Sequence, residues 1–229
     1  MQKTYIQYIF FFLLSVLIIS CSGEDGSSFF KPKRISPPSL EDRISLSQSE
    51  NLGRSSWQKP TFIVSKLGEL EGKTIADIGS GTGYFTFHLA FMNAKVIAVD
   101  IDQEMLNFID SFKSGMNSDM GTIETRIAEP NNPKLKAEEV DKALIVNTIG
   151  YIDNLSDYLS TLKLGIKKGG ILVISDYKAP DSHVPAPTAD KIVSLIDLEA
   201  DLKKAGYVDI QIDDTTLEYQ YVVTASIPK

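Results

Sequence analysis

Cysteine is nearly absent from this chain: there is one, Cys21, in 229 residues. A single thiol builds no disulfide framework and no cysteine-ligated zinc site. Histidine is scarce as well. His88 and His183 are the only two, and neither has a partner at ligand spacing, so no metal site is expected. Basic residues are outnumbered, 23 against 30 acidic, for a net charge of −7. That balance argues against nucleic acid as a partner, and against peripheral binding to anionic lipid, because phosphate recognition needs clustered Lys and Arg. Long apolar runs are missing too. The longest stretch, Ile9 to Ile19, has eleven residues broken only by Ser15, well short of the roughly 20 that a spanning helix needs.

What that stretch does match is the core of a signal peptide, with Lys3 and the terminal amine as its positive start. It has no polar face and is followed at once by Ser, Gly, Glu and Asp, which disfavours a buried core helix. The four residues Ile18-Ile19-Ser20-Cys21 resemble a bacterial lipobox. The resemblance implies cleavage before Cys21 and lipid attachment on Cys21, and hence a membrane-anchored lipoprotein of a bacterial cell envelope, facing the periplasm or the surface. Loss of residues 1–20 would remove one positive charge, Lys3, and take the net charge from −7 to −8. Residues 21–50, with "KPKRISPPS", carry no apolar period and are expected to be a flexible tether. The folded domain is expected over 51–229.

Across that domain apolar runs alternate with helical patterns, the signature of an α/β fold around a parallel sheet. A helix is expected in "PTFIVSKLG", then a strand in "KTIADIG", a helix from about Tyr84 to Met92 and a second strand in "AKVIAVD". The next helix is expected to place Met105, Leu106, Ile109 and Phe112 on one face, with Asp102 as its cap. A third strand alternates through Ile123, Thr125 and Ile127; a fourth, "KALIVNT", ends at Asn147. A helix through Leu155 to Ile166 leads to a Gly169-Gly170 turn and a fifth strand, "ILVISDY". After a helix in "IVSLIDLEADLKKAG", two strands joined by the turn "DDT" must pair antiparallel, since a parallel pair needs a long crossover. Five βα units and a terminal hairpin result, with no internal repeat.

Ligands of such sheets sit at the carboxyl ends of the strands. After the first strand stands "DIGSGTGYF", with Asp77, Gly79, Gly81 and Gly83. Glycine lets the backbone turn tightly and approach a ligand that a Cβ would exclude. After the second strand comes Asp100, seventeen residues beyond Gly83, able to accept both hydroxyls of a ribose. Tyr84 occupies the position where the dinucleotide fingerprint G-x-G-x-x-G needs its last glycine, and no Lys-Ser or Lys-Thr follows to make a P-loop.

With "DIGSGTGYF", "VIAVDIDQEML", "KKGGILVISDY" and "LKKAGYVDIQI" in that order, the chain resembles the class I S-adenosylmethionine-dependent methyltransferases from about Trp57 to Lys229. The resemblance implies a Rossmann-like methyltransferase fold: a mostly parallel seven-stranded sheet, a C-terminal antiparallel hairpin and helices on both faces. It also implies S-adenosylmethionine as cofactor. By position, Gly79, Gly81 and Gly83 would lie along its aminocarboxypropyl arm, with Asp77 near the ammonium. Asp100 would take the ribose hydroxyls, Ile101 would pack on the adenine and Glu129 would meet the adenine amino group, although Glu129 is equally readable as a solvated loop charge. Asn147 would face the methionine end and the methyl acceptor.

In the members this chain most resembles, Tyr-His-His often follows the fourth strand; here Ile149-Gly150-Tyr151 stands instead. The obvious imidazoles are gone. The remaining candidates for catalysis are Tyr151, Asp176, Tyr177 and His183, each also readable as structural, and Trp57 could cover the cofactor or pack on the sheet. His88 reads as a packed or surface residue of its helix. Two functions follow: a methyltransferase whose small-molecule or protein acceptor is not readable, or an exported, inactive module of the same fold that binds an adenosine-like ligand or a protein partner.

Overall fold

The computed structural model describes residues 53–116 and 120–229. The apolar run, Cys21 and the tether lie outside the described residues. The described chain opens with two short helices, α1 (Arg54–Gln58) and α2 (Pro60–Ser65). They meet at Lys59, whose positive φ of 50° breaks the helical path, and Pro60 restarts it with its pre-set backbone angle. There follow β1 (Thr74–Ile78), α3 (Tyr84–Phe91), β2 (Lys95–Asp100), α4 (Gln103–Lys113), β3 (Ile123–Ile127) and β4 (Val140–Val146). The chain ends with α5 (Leu155–Gly165), β5 (Ile166–Tyr177), α6 (Leu195–Ala205), β6 (Val208–Asp213) and β7 (Gln220–Ser226).

The seven strands form one sheet in the order β3-β2-β1-β4-β5-β7-β6. β1 to β5 pair parallel, and β7 runs antiparallel to both β5 and β6. This is the Rossmann-like methyltransferase fold expected from the sequence. Successive strand residues face opposite ways, and here both ways are covered. Ile75, Val96, Leu144 and Val173 pack under α2 and α3, whereas Ala76, Ile97, Ile145 and Ile174 pack under α5 and α6. Burial on both faces explains why the central strands read as continuous apolar runs rather than alternating ones.

The elements depart from expectation in five places. α1 precedes the first helix expected. No helix joins β3 to β4; residues 128–139 make that crossing as a loop closed by a bridge between Glu129 and Asn132. Gly169-Gly170 is not a turn before β5 but a bulge within it: Val140 pairs with Ile166 and Lys142 with Ile171, and Gly169 takes up a φ of +71°. The β6–β7 connection is longer than "DDT", running from Asp214 to Tyr219, with Asp213 accepting from the N–H groups of Thr215 and Thr216. On α4, Leu106 and Ile109 are buried but Phe112 is 56% exposed, its ring instead 4.6 Å from that of Phe108. Asp102 caps α4 as expected, its Oδ1 accepting from Glu104 N at 2.9 Å.

Candidate functional site

The sheet reverses direction between β1, which leads outward to β2 and β3, and β4, which leads the other way. A crevice opens where two such halves part, at the carboxyl ends of the strands. Asp77 and Ile78 end β1, Asp100 ends β2 and Asn147 follows β4, so residues scattered over seventy positions meet at this one place.

Gly79, Gly81 and Gly83 all have positive φ, of 72°, 52° and 90°. Their reasons differ. A Cβ on Gly79 would lie 2.3 Å from Thr148 Oγ1, so the turn there is pressed against the start of the β4 loop. A Cβ on Gly81 would meet nothing within 4 Å: its side of the turn faces open space. Gly81 N donates to Asp100 Oδ2 at 2.8 Å, and Asp102 N donates to Asp100 Oδ1 at 2.9 Å. The ribose candidate is thereby tied to the glycine turn, with lone pairs left over on each oxygen. Burial pushes the Asp100 carboxyl up, against those backbone donors, which pull it down.

Asp77 is 3% exposed and accepts from Thr86 Oγ1 at 2.6 Å. Burial raises its pKa to about 6, with the Thr86 hydrogen bond opposing and the Asp100 charge adding to the rise. Ionising it in place therefore costs about 3 kcal/mol more than in water.

Three adjoining clefts share Asn147 as a common wall. One of about 190 Å³ is lined by Gly79, Asp100, Ile101, Glu129, Asn147 and Tyr151 among others. A second, about 160 Å³, lies over the glycine turn between Arg54, Asp77, Ser80, Gly81 and Asn147. A third, about 120 Å³, is bounded by Arg54, Asn147, Tyr151, Tyr177, Pro185 and Pro187. The structure thus brings together Asp77, Gly79, Gly81, Asp100, Ile101, Glu129, Asn147, Tyr151 and Tyr177. Gly83 instead packs its turn against Phe87 and Ile109. Glu129 lies on the rim with its carboxylate 2.6 Å from Lys134 Nζ.

Two catalytic candidates lie elsewhere. Asp176 is buried, and its oxygens accept from Ile149 N at 3.1 Å and Tyr177 N at 2.8 Å. Burial raises its pKa to about 6 as well, but it braces the turn after β4 and lines none of the three clefts. His183 is exposed and pairs with Asp181 at 2.8 Å. Trp57 packs its ring 6.0 Å from Tyr177 and 6.3 Å from Tyr219 rather than over the cofactor clefts. His88 bonds back to Tyr84 O through Nδ1 at 2.7 Å, within its own helix.

The sequence reading missed Arg54, Gln58 and Gln220. Gln58 and Gln220 are fully buried. Arg54 Nε donates to Gln58 Oε1; Gln58 Nε2 donates to Gln220 Oε1 at 2.8 Å and to Asn147 Oδ1 at 3.2 Å; Gln220 Nε2 also donates to Asn147 Oδ1. A guanidinium can only donate, so Arg54 sets the direction of the whole chain. Asn147 must then turn its amide nitrogen toward the Tyr177 hydroxyl, 3.4 Å away. Nothing local in "RSSWQ" or "EYQYV" signals this, because the partners are 162 residues apart.

The residues fit S-adenosylmethionine on three counts. Ser80 Oγ, in the glycine turn, is buried with no hydrogen-bond partner. Asp77 is a buried carboxyl beside the glycine turn whose pKa stays raised although Arg54, on the same cleft, pulls it down. Ile101 is 61% exposed at the cleft, an apolar surface for a planar ring to cover. Comparison with known proteins agrees. A family model described as a methyltransferase domain matches residues 69–221. The chain is 24% identical over 175 residues to phosphoethanolamine N-methyltransferase 1 of Arabidopsis thaliana, covering 73% of this chain and 35% of that one; it spans about a third of that relative's length. In fold it is similar to a SAM-dependent methyltransferase from Aquifex aeolicus, with a TM-score of 0.72, 23% identity and coverage of 81% of this chain and 98% of that one. It is also similar to a possible exported protein from Bordetella parapertussis, with a TM-score of 0.59, 18% identity and coverage of 74% and 66%.

Proposed function

Since this chain belongs to the methyltransferase domain family, we propose that it binds S-adenosylmethionine in the two clefts flanking the glycine turn and transfers the methyl group to an acceptor in the third. The observation that carries this reading is the tie between Gly81 N and Asp100 Oδ2 at the sheet's switch point, beside an unpartnered Ser80 hydroxyl and a buried Asp77. Asp100 receives the ribose hydroxyls, Asp77 the ammonium, Ser80 a donor or acceptor of the amino-acid arm, and Glu129 the adenine edge. Bound there, the cofactor supplies an electrophilic methyl group on sulfur. Asn147 and the two tyrosines hold the acceptor in line with it, and placement of this kind is a large part of what such a displacement requires. Among the described residues no imidazole lines the clefts, and the carboxyls that do, Asp77, Asp100 and Glu129, are the ones this reading gives to the cofactor; a protonated nucleophile would need a base besides these.

The full chain, purified in detergent, is titrated calorimetrically with S-adenosylmethionine and S-adenosylhomocysteine. Saturable binding in the micromolar range, about −8 kcal/mol, weakened at least tenfold in Asp100→Ala, supports the reading. No heat from a folded protein refutes it and leaves the second reading, an exported module that binds another ligand without catalysis. The lack of an imidazole beside Asn147 is what favours that alternative.

The membrane attachment is a separate proposal. Residues 1–20 act as a signal peptide, Cys21 carries lipid and residues 21–50 tether the domain in the cell envelope. The short apolar run closing on the chain's only cysteine supports it, and the fold occurs in a protein described as a possible exported one. Radioactive fatty acid should label the wild type and not Cys21→Ala. Equal labelling of both would remove the anchor.

A further inference from the structure

At the other end of the sheet from the glycine turn, around the amino ends of β1, β4 and β5, lies a cleft of about 220 Å³. Lys73, Asp141, Lys142, Lys167 and Lys168 line it, with the glycines of the β5 bulge. We propose that this cleft binds a doubly charged phosphate group, either the free anion or the phosphomonoester headgroup of a lipid, at a site separate from the cofactor clefts. The net charge of −7 is an average over the chain; here four lysines face one aspartate. That aspartate is already engaged. Asp141 Oδ1 accepts from Lys167 Nζ at 2.8 Å, and its Oδ2 accepts from Thr74 N at 2.8 Å. Lys142 Nζ donates to Leu67 O, which leaves two of its three N–H bonds. Among the described residues Lys73 and Lys168 donate no side-chain hydrogen bond.

Crowding of this kind works against the fold. Burial and the Lys73 charge hold the Lys142 ammonium below the usual lysine range, with Asp141 and Glu69 opposing. The β5 backbone enforces the arrangement. Val140 pairs with Ile166 and Lys142 with Ile171, so residues 167–170 stand opposite Asp141 alone. In a regular strand Lys167 and Lys168 would point to opposite faces; at the bulge both line one cleft. A Cβ on Gly170 would lie 2.5 Å from Asp141 O, so glycine there lets the bulge press against β4. Ammonium groups are compact point charges on flexible stems, suited to an anion approached from several sides. A carboxylate brings one charge, which a single lysine meets, as Lys167 meets Asp141. A phosphomonoester brings about two negative charges and three acceptor oxygens, enough to engage Lys73, Lys142 and Lys168 together.

The test titrates the full chain in detergent at low ionic strength, where such contacts are screened least. The probes are inorganic phosphate, dihexanoylphosphatidic acid and dihexanoylphosphatidylcholine, whose phosphate is neutralised by its own ammonium. At least one of the first two should bind saturably. Lys73→Gln combined with Lys168→Gln should lower that affinity tenfold or more. Lys203→Gln with Lys204→Gln, which removes the same charge from exposed positions of α6, should change it less than twofold. Lys168 is exposed, so Lys168→Gln alone folds even if the first pair does not, and should lose at least threefold. Inorganic phosphate binding at least as tightly as the phosphatidic acid identifies the free anion as ligand; tighter binding of the phosphatidic acid identifies the headgroup. Equal losses in the two double variants would mean long-range attraction only, and overturn the site. So would phosphatidylcholine binding as tightly as phosphatidic acid, or no saturable binding of either phosphate by the folded chain. Competition between phosphate and S-adenosylhomocysteine would put the anion in the cofactor clefts and overturn it as well.

Discussion

Asp77, to which the proposed function gives the cofactor's ammonium, is held in place at the expense of the fold. In the unfolded chain its carboxyl ionises near the ordinary value of about 3.9; in the fold burial raises that to about 6. Between those values the unfolded state has released a proton that the native state keeps. Stability therefore falls as pH rises through the window, and stays lower above it. Asp77→Asn should melt several degrees above wild type at pH 8, with the gap closing near pH 4.5, while its affinity for S-adenosylmethionine drops at least tenfold. Equal melting temperatures at pH 8 would mean that the buried carboxyl carries no such penalty. Asp176 is raised to about 6 by the same cause, but it is common to both proteins and cancels in the comparison. Asp77 and Asp100 were readable in sequence because each ends an apolar strand. Asp176 also ends a strand, and only its backbone partners show that it is a brace.

At the scale of an element, the glycine turn separates two demands that a motif pattern merges. Gly79 is there for packing and Gly81 for space. Gly79→Ala drives a methyl group into Thr148 and should lower stability by about 2 kcal/mol or more, measured by urea unfolding. Gly81→Ala meets no atom and should lose only about 1 kcal/mol for its left-handed backbone, yet bind cofactor at least tenfold more weakly. If Gly81→Ala binds cofactor as tightly as wild type, the open space beside Gly81 is not a ligand site. At the other end of the domain Ser194 Oγ accepts from Asp197 N at 3.1 Å and caps α6. Ser194→Ala should cost about 1 kcal/mol with no effect on binding. Helix positions were legible from periodicity, yet the bulge in β5 was not: Gly-Gly reads as a turn unless the pairing of Ile166 with Val140 is known.

At the scale of the molecule, α1 is fastened to the last strand. Gln58 and Gln220 bridge 162 residues and both donate to Asn147, so α1 and β7 together fix a side chain that walls all three clefts. Gln58→Leu leaves buried amides unpaired and should lower stability by about 2 kcal/mol. Adding Gln220→Leu should lower it by less than the second change alone, since replacing both partners removes the unmet donor along with its acceptor. A strictly additive pair would show that the two amides do not interact.

The alternation of apolar runs and helical periods determined, without any coordinates, that five strands would lie parallel, that a hairpin would end the sheet, and that Asp77, the glycines, Asp100 and Asn147 would stand at strand ends. These follow from short-range regularities: a period of two or 3.6 residues, and a backbone angle that only glycine adopts easily. Which strand ends become neighbours is decided by the sheet order, and that depends on how whole elements pack. So does the amide chain from Arg54 to Asn147. Its polarity is set by one guanidinium that cannot accept a hydrogen bond, and its members come together only once β7 has inserted between β5 and β6.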